Sequence, residues 1–238
     1  RHAEVLNPEL FTPGRDTAIE GWQSSQHSAT YLIPPALHYD DHPEYFAWRT
    51  GKRVPKDMRL ERFNICLSDP DVRRLSAERM LDWMDLQPGR RFFWMADQDG
   101  DPCECDACRA RERRRGFATD RVLEWVNEAA RAAAAKHPDN LLFTLAYINS
   151  VAPPFEVKPE PNVVVFYCPW WRDGRNCVTH DWLCPNNTGA LKQFVDWAIR
   201  FPGQLGLYDY GAGATTDLVK ADLIKFLAKN RLRGYYFD

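Results

Sequence analysis

The stretch Phe92 to Arg109, FFWMADQDGDPCECDACR, decides how the rest of the chain is interpreted. Its first residues form an apolar run that follows Pro88-Gly89, which predicts a buried strand. Asp97 and Asp99 come directly after this run, and α/β barrels keep their reactive residues at the C-terminal ends of strands. The stretch therefore predicts a barrel strand that carries two carboxylates at its end.

Length and composition restrict the class of protein. The chain has 238 residues, which is enough for one domain with a large core but slightly short for an α/β barrel. Its 31 Lys and Arg residues nearly balance 33 Asp and Glu residues, which argues against nucleic acid or an anionic membrane as the main partner. No apolar run approaches the roughly 20 residues of a membrane span. We expect residues 1–238 to form a single domain that is part of a longer protein.

Hydrophobic patterning from residue 92 onward alternates between strands and helices. The strands are apolar throughout, as parallel strands covered on both faces must be. We count about six barrel strands, so the predicted fold is an α/β class (β/α)8 TIM-type barrel that lacks its first one or two strands. Predicted strands are 27–33, 62–67, the run from Phe92, 141–147, 162–167, 205–210 and 232–238. Predicted helices begin at Ser68-Asp69-Pro70 and cover 120–137, 190–200 and 217–230, whereas the Pro-rich link 148–161 is predicted to be non-helical.

Carboxylates and aromatic side chains lie at the ends of these predicted strands. This combination suits glycoside hydrolysis, in which one carboxylic acid protonates the leaving oxygen and a second group stabilises the oxocarbenium-like centre. Aromatic residues make up 13% of the chain, with nine Trp, and their rings can stack on sugars. The candidate site residues are His27, Asp97, Asp99, Tyr147, Trp170, Trp171, Tyr208, Asp209, Tyr210 and Asp238.

Several of these residues also have structural interpretations. Asp97 and Asp99 suit turns or helix caps, since Asp-Gly favours turns. Their spacing resembles a calcium loop, but the glycine stands at the wrong offset and no Glu follows at the twelfth position. Asp209 suits an ion pair with an arginine, and His27 a hydrogen-bonded core position.

Seven cysteines leave at least one outside any intramolecular disulfide. Cys103, Cys105 and Cys108 lie in one short loop, too close together in sequence to pair easily with each other. A structural zinc site needs a fourth ligand, and Cys66 is the candidate. Zinc and disulfides to distant cysteines remain equal alternatives, and unpaired buried thiols are a third. Cys177 and Cys184 are expected to form a disulfide with each other.

Several runs of residues resemble the domain of unknown function numbered 4838, which includes glycoside hydrolase family 163. The most specific parts are HPEYFA with GKR, and the Cys-x-Cys-x-x-Cys loop. The resemblance covers nearly the whole chain in order, through HSATYLIPPALHYDDHPEYFAWRTGKR (27–53), ICLSDPDV (65–72), DQDGDPCECDACRA (97–110), LAY (145–147), LYDY (207–210) and the closing RGYYFD.

The resemblance implies an endo-acting β-N-acetylglucosaminidase with catalytic acids after the fourth barrel strand. It also implies an extracytoplasmic or secreted protein that acts on an oligosaccharide or glycoprotein glycan. The family pattern before the cysteines is near Gln-Asn-Asp, whereas this chain has Asp97-Gln98-Asp99, so either aspartate is a candidate for the catalytic position.

The resulting hypothesis is a retaining glycoside hydrolase in which the acetamido oxygen of the substrate is the nucleophile. Asp99 would be the general acid/base and Asp97 would orient the acetamide, with no cofactor required for catalysis. One alternative is an exo-acting glycosidase of α-glucuronidase-like type that uses Asp209 or Asp238. The other is a non-catalytic carbohydrate-binding barrel.

Overall fold

The structure is a computed structural model that describes residues 27–113, 118–169, 187–209 and 234–237. Its centre is a sheet of five strands that all run parallel, and their order in the sheet is their order along the chain. The strands of this sheet are β3 (Phe92–Trp94), β4 (Leu141–Ala146), β5 (Val163–Tyr167), β6 (Leu205–Asp209) and β7 (Gly234–Phe237). A smaller hairpin pairs β1 (Trp48–Arg49) with β2 (Lys52–Arg53).

The helices are α1 (Ala29–Leu32), α2 (Pro35–His38), α3 (Pro70–Leu86), α4 (Asp106–Arg113), α5 (Thr119–Lys136) and α6 (Thr188–Arg200). Short 3-10 turns cover Pro43–Tyr45, Leu60–Arg62 and Ile148–Ser150. The start of α3 is confirmed, because the carboxylate of Asp69 accepts hydrogen bonds from the N–H groups of Asp71 and Val72. Of the predicted helices, 217–230 lies outside the described residues.

The prediction of a strand over 27–33 is wrong. The β-branched and aromatic residues of this segment suggested a strand, but Ala29, Leu32 and Ile33 are all fully buried. Leu32 and Ile33 lie three and four residues after Ala29, which places all three on one side of a helical turn, and α1 forms there. The segment 62–67, also predicted to be extended, forms one antiparallel bridge between Ile65 and Phe46.

Two separate cores cover the two faces of the parallel sheet. On one face, buried residues of α3, α5 and α6 pack against strand residues such as Phe93, Val165 and Leu207. On the other face lies the aromatic cluster, which contains Trp94, Ala96, Leu141, Phe143, Leu145, Tyr147, Val164, Phe166, Cys168 and Tyr208. This burial on both faces explains why the strand sequences are continuously apolar.

The aromatic cluster requires a glycine in the neighbouring strand. Phe166 is paired with Gly206, and a Cβ at Gly206 would lie 2.7 Å from the Phe166 ring. Phe166 therefore lies across the backbone of β6, where it contacts Trp94 and Phe143 at ring centroid distances of 5.1 and 5.0 Å. None of the described helices is long and apolar enough to cross a membrane.

Candidate functional site

The candidate site forms where an N-terminal segment packs on the carboxyl end of β3. The N–H groups of Ser28 and Ala29 both donate to the Ala96 carbonyl oxygen, at 3.0 and 3.1 Å. In return, the Ser28 hydroxyl oxygen accepts a hydrogen bond from the Ala96 N–H at 3.1 Å. These contacts bring His27 against Asp97, although the two residues are 70 positions apart in the chain.

His27 connects the two aspartates of the Asp97-Gln98-Asp99 run. Its Nδ1 lies 2.6 Å from the backbone oxygen of Asp97, and its Nε2 lies 3.3 Å from Oδ1 of Asp99. The side chains of His27 and Asp99 are 26% and 41% exposed, so a solute can reach this pair. The structure thus places His27, Asp97 and Asp99, three of the predicted site residues, next to one another.

The partners of His27 restrict where its proton can be. A carbonyl oxygen only accepts hydrogen bonds, so Nδ1 of His27 must carry a hydrogen and donate it to Asp97. The other ring nitrogen, Nε2, faces the Asp99 carboxyl group at 3.3 Å. Such a pair can release or take up a proton at the Asp99 oxygen, which is what general acid/base catalysis needs.

Asp97 is in a different electrostatic environment from Asp99. Burial raises the pKa of the Asp97 carboxyl, and the Asp99 carboxylate adds to this effect. The charges of His27 and Arg121 act in the opposite direction and are weaker than the desolvation. Asp97 is thereby shifted toward its neutral, protonated form.

Two buried amide side chains fix the backbone that carries the aspartates. Gln98 donates through Nε2 to the His27 carbonyl oxygen and to the Thr30 hydroxyl, at 2.8 and 2.7 Å. Asn64 accepts from the Gln98 N–H at 2.8 Å. Its Nδ2 lies within 3.3 Å of the carbonyl oxygens of Gln98, Gly100 and Asp101. The turn after β3 is therefore held from one side by α1 and from the other by the segment around Asn64.

Gly100 is required by the close approach of this turn to the Arg62 backbone. A Cβ built at Gly100 would lie 2.0 Å from the Arg62 carbonyl oxygen, far inside van der Waals contact. Arg62 also places its Nη1 3.4 Å from the Asp99 carbonyl oxygen. The glycine that suggested a turn in the sequence is thus needed for packing.

Tyr147 borders the site at the end of β4. Its ring centroid lies 6.3 Å from that of His27. The next residue, Ile148, has a φ of 45°, which is unusual for a β-branched side chain. Ser150 holds this strained turn in place, because its hydroxyl group contacts both the N–H and the carbonyl oxygen of Tyr147.

The four predicted cysteine ligands converge beside this site. The sulfur atoms of Cys66, Cys103, Cys105 and Cys108 all lie within 4.8 Å of one another. Cys66 Sγ is 3.7 Å from Cys105 Sγ and 3.8 Å from Cys108 Sγ. A zinc ion with four Zn–S bonds of about 2.3 Å has sulfur atoms about 3.8 Å apart, whereas a disulfide requires about 2.05 Å. None of the four cysteines forms a disulfide in the structure, and the cluster could bind a metal ion.

The surroundings of the cysteine cluster suit negatively charged sulfur. The Trp48 N–H donates to Cys103 Sγ at 3.2 Å, and the Ser68 hydroxyl lies 3.2 Å from Cys108 Sγ. Hydrogen bonds with Cys103 and Cys66 lower the pKa of Cys108, and the charge of the buried Arg121 contributes. By contrast, hydrogen bonds with Cys103 and Cys108 raise the pKa of Cys66, so thiolate charge is not shared equally.

Comparison with protein-family models finds one family that covers most of the chain. The model of a family described as "Domain of unknown function (DUF4838)" matches residues 7–237. The chain belongs to the DUF4838 family. It matches no curated protein and no solved structure.

The DUF4838 chain brings together only some of the residues predicted to form the site. Tyr208 is buried in the aromatic cluster at 4% exposure, on the same sheet face as Tyr147. Asp209 ends β6, where its backbone is paired with Phe237. The other predicted site residues lie outside the described part of the chain; they are Trp170, Trp171, Tyr210 and Asp238. Cys177 and Cys184, the predicted disulfide pair, also lie outside it.

Two residues that organise the DUF4838 site were not identified from sequence. Gln98 stands between the aspartates but was not assigned a role. Asn64 was treated as part of an extended apolar segment. A lone amide within the apolar run RFNICL is itself a signal, because a buried amide side chain requires hydrogen-bond partners.

Proposed function

We propose that this DUF4838 domain is a glycoside hydrolase that acts on glycans containing β-linked N-acetylglucosamine. The observation that carries the proposal is the convergence of His27, Asp97 and Asp99 at the carboxyl end of a parallel strand, beside Tyr147. Two carboxyl groups next to an aromatic ring are the parts that glycoside hydrolysis uses. The predicted partner is an oligosaccharide or glycoprotein glycan, which fits an extracytoplasmic or secreted location.

The proposed reaction retains the configuration of the sugar. Asp99 donates its proton to the glycosidic oxygen as the C1–O bond breaks, while the acetamido oxygen of the substrate bonds to C1. Asp99 then takes a proton from water, whose oxygen attacks C1 and releases the acetamido oxygen. His27 holds the proton-bearing Asp99 in place through Nε2, and Asp97 orients the acetamide. No metal takes part in these steps.

One observation favours the reverse assignment of the two aspartates. A general acid must be protonated at the working pH, and burial raises the pKa of Asp97. The side chain of Asp99 is 41% exposed and is paired with His27. A good leaving group departs without protonation, so loss of the general acid matters little for a substrate that carries one. The two assignments therefore predict different aspartates whose replacement is tolerated on such a substrate.

The test compares Asp97→Asn, Asp99→Asn and Asp101→Asn on an N-glycan and on aryl N-acetylglucosaminides of graded leaving-group acidity. We expect Asp99→Asn to lower kcat on the glycan by about 10²–10⁴-fold. On the most activated aryl substrate, the decrease in kcat should be much smaller. Asp97→Asn should be impaired on all of the substrates. Asp101 lies in the same loop but is 62% exposed and paired with Arg49, so its variant serves as the matched control and should remain near wild type.

Two results would contradict this assignment. Activity of Asp99→Asn within a few-fold of wild type on the glycan would remove Asp99 from the acid/base role. If Asp97→Asn alone is rescued by activated substrates, the reverse assignment is correct.

A non-catalytic carbohydrate-binding domain is the second candidate function. It is favoured by the contact between Asp99 and His27, since a carboxylate already engaged in an ion pair can be purely structural. Calorimetry with an N-glycan, followed by chromatography of the mixture, separates the two functions. Binding without any product release would support the binding domain.

We also propose that the parallel sheet is part of a (β/α)8 barrel. Sequential strand order, helices on one face and an aromatic cluster on the other are all features of a barrel wall. In this arrangement the site lies at the mouth of the barrel, which is where barrel enzymes bind their substrates.

A further inference from the structure

We propose that Cys66, Cys103, Cys105 and Cys108 bind one zinc ion, and that this ion fixes the loop that carries Asp99. The proposal does not depend on hydrolase activity, because it rests on the arrangement of sulfur atoms alone. The distances from Cys66 Sγ to Cys105 Sγ and Cys108 Sγ, 3.7 and 3.8 Å, match the edge of a thiolate tetrahedron around zinc.

The ligand set selects the metal. Four thiolates favour soft or borderline ions such as zinc over magnesium and calcium, which prefer oxygen. With four protein ligands the coordination sphere of zinc is closed, which is typical of structural sites. Three of the sulfurs are buried and Cys105 is partly buried, so the ion would be shielded from solvent.

Four thiolates and one zinc ion carry a net charge of −2, and the groups around the cluster suit such a complex. The guanidinium of Arg121 is only 2% exposed, and its Nη1 lies 3.2 Å from the Cys103 carbonyl oxygen. Glu112 forms an ion pair with the same Nη1 at 2.9 Å. The Trp48 N–H donates directly to a sulfur, as second-layer groups around zinc commonly do.

A short segment, Arg62 to Cys66, connects the metal site to the acid site. Cys66 joins the cluster, and Asn64, two residues earlier, holds three carbonyl oxygens of the loop after β3. Arg62 lies against Gly100 in the same loop. Because the ion would link this segment to Cys103 at the far end of the loop, both ends of the loop would be fixed.

The first measurement is the metal content of the wild-type protein, purified with a thiol reductant and without chelators. We expect one zinc per chain after gel filtration. Cys105→Ser, at the most accessible ligand, should lose most of its zinc. Cys168→Ser is the matched control, because Cys168 is a buried cysteine that lies outside the cluster, and this variant should retain full zinc content.

The second measurement replaces zinc by cobalt in the wild-type protein. It tests whether the four cysteines bind the metal ion even if Cys105→Ser does not fold. Tetrahedral cobalt bound by thiolates should give intense visible absorption bands and sulfur-to-cobalt charge-transfer bands. Zinc removal should then increase hydrogen exchange at Gly100–Cys108 while α3 and α5 remain protected.

Three results would overturn the proposal. The first is a wild-type protein without bound metal whose cluster cysteines are all alkylated under native conditions. The second is peptide mapping that finds a disulfide between any two of them, and the third is iron in place of zinc. Unchanged exchange of the loop after zinc removal would refute its role in fixing the loop.

Discussion

At the scale of single residues, the contact between His38 and Arg79 allows only one of the two side chains to be charged. Nη2 of Arg79 lies 2.9 Å from Nε2 of His38, and the other terminal nitrogen of Arg79 donates to the Leu32 carbonyl oxygen. Arginine can only donate, so Nε2 of His38 must accept and the imidazole is neutral. Burial lowers the pKa of His38, and the charges of Arg79 and His42 lower it further.

This contact predicts a loss of stability in mild acid. The unfolded chain binds the His38 proton near pH 6.5, whereas the folded chain resists it. The stabilisation is therefore complete above about pH 6.5 and is lost as the pH falls from there toward the lowered pKa. Denaturant unfolding at pH 7.5 and 5.5 should show a larger loss for wild type than for His38→Gln, whose amide oxygen can still accept from Arg79. Equal losses in the two proteins would exclude His38 as the source.

At the scale of elements, the link between β4 and β5 is held without a helix of its own. The Asp120 carboxylate on α5 accepts hydrogen bonds from the N–H groups of Phe155, Glu156 and Val157. Further along α5, Asn127 binds the backbone of residues 158 and 160. The prolines of 148–161 predicted the absence of a helix, and apart from one 3-10 turn this is confirmed. The local sequence did not show that α5 would hold this link, because the hydrogen bonds from α5 are tertiary contacts.

Two glycines predict opposite effects on stability. Gly100→Ala places a Cβ against the Arg62 backbone, so the loop must move, and we expect a cost of about 1–3 kcal/mol. Gly189 lies near the start of α6, and a Cβ added there would have no atom within 4 Å. Because alanine favours a helix more than glycine does, Gly189→Ala should stabilise the protein by up to about 1 kcal/mol. Denaturant midpoints of the two variants test this contrast. A Gly100→Ala protein as stable as wild type would show that the loop accommodates the added methyl group.

At the scale of the whole molecule, the aromatic cluster distinguishes a barrel from a doubly wound sheet. A doubly wound sheet has helices on both faces, whereas a barrel keeps them outside and fills its interior with side chains. In an experimental structure of this protein, we expect the edge of β3 that has no partner strand among the described residues to pair with a further parallel strand. We also expect the aromatic cluster to face the interior. Helices that cover Trp94 and Phe166 would contradict the barrel.

Sequence reasoning succeeded where a residue's role depends on local pattern. Continuous apolar runs identified the strands of the sheet, and the Cys-x-Cys-x-x-Cys spacing with Cys66 identified the cluster. It failed at residues 27–33, where composition favoured a strand but the segment forms helix α1, which packs against α3. The roles of Asn64 and Gln98 depend on partners 34 or more residues away, which no local pattern encodes.

The contact between His27 and Asp97 also has a consequence for folding kinetics. It closes a loop of 70 residues, whereas the contact between Cys66 and Cys105 closes one of 39. Closure entropy increases with loop length, and non-local contacts slow folding. Helices such as α3 and α5 can therefore form before the acid pair acquires its histidine, so a chain can regain its secondary structure while the site is still unassembled.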